Sequence, residues 1–132
     1  MIEMNKQPLV LYVEDNLDNR ILVKRVLEAE GFTVVEASSG PEAFEKLKSI
    51  QPDLILMDIN LPEVDGYTLT TELKSQLTPT IPIIALTANV MKGDREKTLQ
   101  AGCDGYIQKP IDVDALPNQV RSFLSSKTKG QT

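Results

Sequence analysis

The sequence predicts a doubly wound α/β fold, a (βα)5 arrangement in which a five-stranded parallel sheet lies between two layers of helices. Three observations predict it. Short apolar, β-prone runs alternate with helical periodicities from one end of the chain to the other. Most of those runs are nearly continuous rather than alternating, as expected of parallel strands covered on both faces. The 132 residues fit one domain large enough to bury a core without disulfides or structural metal.

Leu9-Val10-Leu11-Tyr12-Val13 is the first strand, and it ends abruptly in Glu14-Asp15. A first helix follows, with Asn16 or Asp18 to cap its start, a stripe of Leu22, Val26 and Ala29, and Gly31 as its C′ residue. Thr33 to Ala37 reads as the second strand, and Ala43, Phe44, Leu47 and Ile50 mark one face of the second helix. The third strand, Leu54 to Met57, delivers Asp58; Leu69, Leu73 and Leu77, spaced by four, mark the third helix. Ile81 to Leu86 is the fourth strand, followed by a charged and poorly amphipathic fourth helix around Lys92 to Gln100. Gly105 to Gln108 is the fifth strand, and Leu116, Val120, Phe123 and Leu124 form the stripe of the fifth helix. The chain divides into an N-terminal extension (1–8), one domain (9–124) and a flexible polar tail (125–132). A nucleotide-binding Rossmann half is the competing architecture, but no G-x-G-x-x-G follows the first strand.

Composition narrows the function classes. Fourteen basic against nineteen acidic side chains leave a net charge of −5, which argues against nucleic acid as a direct partner. The single cysteine, Cys103, cannot form an intrachain disulfide and suits a reducing, cytoplasmic setting. MIEMNKQP lacks the apolar stretch of a signal peptide, and no apolar run approaches the roughly 20 residues needed to span a bilayer. The chain has no histidine. Ser-His-Asp or Cys-His catalysis and His-ligated zinc are therefore excluded, and any phosphohistidine donor must be another molecule.

In open α/β sheets ligands bind outside the carboxyl ends of the strands. There the first strand delivers Glu14 and Asp15, the third Asp58 followed by Asn60, the fourth Thr87 and the fifth Lys109. Two carboxylates about 4 Å apart repel by roughly 4 kcal/mol at an effective dielectric near 20. Three must raise a pKa, spread apart or bind a cation. Oxygen-only ligands favour a hard ion such as Mg²⁺, which keeps waters and phosphate oxygens in its shell. Such an ion, with Lys109 opposite, would offset charge on a transferring phosphoryl group, while Thr87 donates a hydrogen bond to it. Asp58 is the carboxylate best placed to attack and form an aspartyl-phosphate. Taken singly, each acid has a blander reading as a helix cap or solvated charge; the convergence of four strands on one edge is what favours a site.

From about Pro8 to Leu124 the sequence resembles the receiver domains of two-component response regulators, through LYVEDN (11–16), LILMDINLPEVDGY (54–67), IIALTAN (83–89) and DGYIQKP (104–110). The segment from Asn89 to Asp112 looks most like stand-alone regulators of the DivK type and receivers attached to hybrid kinases. The resemblance implies the flavodoxin/CheY-like strand order 2-1-3-4-5. It implies that Asp58 is the phosphoacceptor, Asp15 a direct metal ligand and Glu14 the acid that holds metal-bound water. It further implies that Asn60 offers its backbone carbonyl to the ion, Mg²⁺ or its substitute Mn²⁺. Thr87 and Lys109 match the hydroxyl and lysine that contact phosphoryl oxygens, Tyr106 matches the aromatic switch residue, and the Lys109–Pro110 bond is implied to be cis.

The expected function is that of a phosphorelay switch, not an enzyme on external substrates. Phosphorylation of Asp58 by a sensor histidine kinase, a histidine phosphotransferase or a small donor such as acetyl phosphate would alter the face made by the fourth helix, fifth strand and fifth helix. That face would control a downstream protein target, the chain being a monomer or a weak phosphorylation-dependent dimer with no membrane attachment. Two other classes stay open: a phosphohydrolase using Asp58 as nucleophile, and a scaffold indifferent to phosphorylation. The first lacks the D-x-D-G-T signature, since the run here is DINLPEVDG.

Overall fold

The computed structural model describes residues 7–59, 66–76, 81–87 and 102–130. Five strands, β1 (Leu9–Val13), β2 (Thr33–Ala37), β3 (Leu54–Asp58), β4 (Ile83–Thr87) and β5 (Gly105–Gln108), form one sheet. Every neighbouring pair is parallel, and the order is β2-β1-β3-β4-β5. The helices are α1 (Leu17–Glu28), α2 (Gly40–Leu47), α3 (Gly66–Gln76) and α4 (Leu116–Gly130). α4 is the fifth helix of the sequence reading. The expected fourth helix, Lys92 to Gln100, lies outside the described residues.

The two-residue period of a strand sends alternate side chains to opposite faces, so a sheet covered on both sides has two cores. Leu11, Val13, Ile55, Met57, Ile83 and Ala85 pack with Ala43 of α2 and Leu69 and Leu73 of α3. Val10, Tyr12, Leu54, Leu56, Ile84 and Leu86 pack with Val23 and Leu27 of α1 and Leu116 and Val120 of α4. β3 and β4 are buried along their whole length, which is why their sequences are continuous apolar runs.

Two expectations need correction. β4 begins at Ile83 rather than Ile81, since Pro82 has no N–H for the ladder and serves only as an acceptor, its carbonyl taking the Ile55 N–H at 2.9 Å. The buried side of α1 is Val23 and Leu27, with Val26 of the expected stripe partly buried against the same core, whereas Leu22 is 43% exposed and Ala29 is exposed. The apolar arc of this helix is wider than the sheet can cover. Spacing alone does not choose which part of it packs, and Leu17 and Ile21 stay outside with Leu22.

The ends of α1 follow from its capping residues. Asn16 accepts the Asn19 N–H at 2.9 Å and is the N-cap. At the other end Phe32 N–H reaches Leu27 O and Gly31 N–H reaches Glu28 O, with Gly31 at φ 94°. This is a Schellman closure, and it requires the left-handed conformation that glycine adopts without penalty. The cap at Asn16 fixes where the chain leaves β1, and so where Glu14 and Asp15 stand. Among the described residues no helix is long and apolar enough to cross a membrane.

Candidate functional site

Register brings the candidate residues to one rim. Val13 pairs with Met57, so Glu14 and Asp15 leave β1 level with Asp58 at the end of β3. Asp58 pairs with Leu86 and Thr87 with Gln108, which sets Thr87 and Lys109 at the same carboxyl edge. Backbone bonds close the edge: Glu14 N–H to Ala37 O (2.9 Å), Ile59 N–H to Leu86 O (3.2 Å) and Lys109 N–H to Thr87 O (2.8 Å).

Three carboxylates converge there. One oxygen from each of Glu14, Asp15 and Asp58 lies within 4.8 Å of the others. Glu14 and Asp58 are buried and Asp15 is exposed. Lys109 Nζ donates to Asp58 Oδ1 at 2.9 Å. Among the described residues, three carboxylates share the cluster with this ammonium, and the Arg20 guanidinium lies behind it. Burial raises the Glu14 carboxyl to about 7, and its hydrogen bond with Asp58 and that group's charge push in the same direction. A buried acid whose carboxyl is raised first by burial and then by a neighbouring carboxylate is one that a bound cation would relieve. The donor set is all oxygen, with an exposed member on the solvent side. These features fit a hard divalent cation such as Mg²⁺.

Thr87 is wholly buried at the end of β4. Tyr106, opposite Ala85, is half-buried and packs against the core on the α2/α3 side. Asn60 lies outside the described residues. The Lys109–Pro110 peptide is cis, as the family resemblance implies. The structure thus joins Glu14, Asp15, Asp58 and Lys109 in one cluster, with Thr87 on the adjacent strand and Tyr106 one strand further.

Four residues absent from the sequence reading of the site support it. Tyr12 hydroxyl donates to Glu14 Oε1 at 3.1 Å, and Asn19 Nδ2 approaches the same oxygen at 3.5 Å. Asn16 N–H donates to Glu14 Oε2 at 3.2 Å. Arg20 Nη1 donates to the carbonyls of Glu14 (2.8 Å) and Asp15 (3.0 Å), and its Nε pairs with Glu36 at 3.3 Å. Burial and the neighbouring Glu14 charge both hold the Tyr12 phenol well above its ordinary pKa, so it remains a donor. The available signals were Tyr12 two residues before Glu14 on the same strand face, and Arg20 one helical turn after the Asn16 cap.

Comparison with known proteins agrees with this geometry. Residues 10–121 match the family model for the response regulator receiver domain. The chain is 45% identical over 116 residues to the polar-differentiation response regulator DivK of Brucella ovis, covering 87% of this chain and 94% of that protein. A CheY-like receiver domain protein from Methanospirillum hungatei superposes with a TM-score of 0.85 at 28% identity, covering 95% of this chain and 99% of that one. The receiver domain of the sensor histidine kinase PA1611 from Pseudomonas aeruginosa superposes with a TM-score of 0.81 at 36% identity, covering 91% and 99%. That structure holds a magnesium ion coordinated in its active-site cleft.

Proposed function

This chain belongs to the response-regulator receiver family, and on that premise we propose that Asp58 is its phosphoacceptor, working beside a divalent ion held by Asp15, Asp58 and Glu14. One observation carries the reading: the buried Asp58 carboxylate shares an oxygen-lined cluster with two other acids and bonds to the Lys109 ammonium at 2.9 Å.

The receiver role is that of a signalling phosphoacceptor in two-component systems. In the proposed step an Asp58 oxygen forms a bond to phosphorus as the donor's P–N or P–O bond breaks; a departing imidazole takes its proton from solvent, and a departing acetate leaves as the anion. Lys109 then has a phosphoryl oxygen as well as Asp58 to bond, and Thr87 at the end of β4 would donate a hydrogen bond to another phosphoryl oxygen. When bound, Mg²⁺ would supply positive charge to offset that on the transferring phosphoryl oxygens. Burial keeps water away from one side of the new acyl phosphate. Movement of Thr87 toward it and inward rotation of Tyr106 would pass the change to the expected fourth helix (Lys92 to Gln100), β5 and α4, the proposed output face toward a protein target.

The donor has to approach over the open side of the rim. There Asn19, Leu22, Lys109, Pro110 and Ile111 line a groove of about 440 Å³, and Leu17, Ile21 and Leu22 are exposed on α1. A histidine kinase or histidine phosphotransferase in the cytoplasm is the donor that family membership suggests, and its phosphohistidine has to lie outside this sequence, which contains no histidine.

Acetyl phosphate with Mg²⁺ should add one phosphoryl group by mass to the wild type and none to Asp58→Asn. Incorporation that persists in the variant moves the acceptor elsewhere. Turnover of an added phosphate ester beyond one equivalent would instead support hydrolase chemistry.

A further inference from the structure

Tyr12 stands in an otherwise apolar strand, is 0% exposed, and fills the core between β1, α1 and α4. A phenylalanine would fill that space equally well; the hydroxyl is the only difference. Burying a hydroxyl is unfavourable unless it is hydrogen-bonded, and here the bond goes to Glu14 Oε1 at 3.1 Å. The Glu14 carboxylate is therefore gripped on both oxygens. Tyr12 and Asn19 approach Oε1, while the Asn16 N–H holds Oε2. Asn16 and Asn19 belong to the start of α1, at the exposed rim, whereas Tyr12 reaches the carboxylate from the interior.

We propose that Tyr12 is a positioning residue for the divalent-ion site, its buried hydroxyl fixing the orientation in which Glu14 faces Asp15 and Asp58. The inference rests on the reading that these three acids hold the ion. Partners behind a ligand carboxylate set its orientation and tune metal affinity. A carboxylate freed on one side by loss of the phenol can turn toward Asn16 and Asn19 and away from the shared cluster.

The test is a double-mutant cycle on Mg²⁺ affinity, read by calorimetric titration of the full chain. Tyr12→Phe should weaken Mg²⁺ binding by roughly five- to tenfold, and Tyr12→Leu, a second hydroxyl-free variant, should weaken it at least as much. In a Glu14→Gln background Tyr12→Phe should change Mg²⁺ affinity less than twofold. Melting in EDTA gives the readout for a purely structural role. Tyr12→Phe affinity equal to wild type overturns the inference, as does an equal loss with and without Glu14. Wild-type protein that takes up no Mg²⁺ removes the metal reading itself, and this inference with it.

Discussion

Lys109 donates to a carboxylate that is 3% exposed, so its removal leaves a buried charge beside two other acids. Breaking such a pair from one side costs more than the pair itself contributes, because the remaining partner stays desolvated. Lys109 is itself partly solvent-accessible, which moderates the effect. Lys109→Ala should lower stability in EDTA by about 1–3 kcal/mol by urea unfolding. Saturating Mg²⁺ should restore more stability to the variant than it adds to the wild type. An apo protein as stable as wild type would mean that Asp58 does not depend on the ammonium. Individual side chains divide cleanly in how far the sequence exposed them. Glu14, Asp15, Asp58 and Lys109 were legible because each stands at the carboxyl end of a strand-like run, and strand ends of a parallel sheet share one edge. Tyr12 was not, because an aromatic residue inside such a run reads as core, and its ring is core. Only the partner of its hydroxyl, invisible until the strand is folded, separates it from phenylalanine.

At the scale of elements, β5 meets α4 with no room to spare. A Cβ built on Gly105 would lie 2.4 Å from Phe123 Cε1 and 2.8 Å from Cζ, a collision with a ring rather than with a flexible chain end. Gly105→Ala should therefore displace α4 from the sheet and cost about 1–3 kcal/mol, the usual range for overpacking. Gly105→Ala combined with Phe123→Leu should recover part of that loss; no recovery in urea unfolding would place the strain elsewhere. The same end of β5 is tied by charge to the helix on the other face of the sheet. Asp104 accepts from Lys74 Nζ of α3 at 2.7 Å and from the Ile83 N–H at 2.9 Å. Periodicity revealed all five strands, the stripe of α4, the α2 face (its Ile50 packing just beyond the helix end at Leu47) and Leu69 and Leu73 of the α3 stripe, whose Leu77 lies outside the described residues, because apolar spacing is what a covered sheet demands. It misjudged the packed side of α1, where Val23 and Leu27 compete with exposed Leu22, and it had no means of seeing Pro82 as the limit of β4. Neither the Gly105–Phe123 contact nor the Lys74–Asp104 pair has a sequence signature, since both join distant segments through side-chain size and reach.

For the whole molecule, the acidic rim turns into a dependence of stability on pH. The folded state holds Glu14 at about 7, above its ordinary 4.5, chiefly through burial and secondarily through Asp58. A carboxyl group raised in the folded state binds a proton that the unfolded chain has already released. Its stabilising contribution is complete below about pH 4.5 and is lost as pH rises through about 7. The chain has no histidine, and among the described residues Glu14 is the only side chain whose raised value falls near neutrality, Cys103 being pushed by burial to about 11. Urea midpoints in EDTA should therefore fall between about pH 5 and pH 8, and Glu14→Gln should flatten that decline. A divalent ion binds the ionised cluster and competes with the proton, so stabilisation by Mg²⁺ should be larger near pH 8 than near pH 5. A wild-type profile in EDTA that is level across this interval, or a decline that survives in Glu14→Gln, would remove the acidic rim as its cause. The same accounting explains why a net charge of −5 is compatible with a stable domain. Among the described residues most acids lie where water reaches them, and the two that are buried, Glu14 and Asp58, stand at the rim near Lys109, where an ion or a phosphoryl group can change the balance of charge.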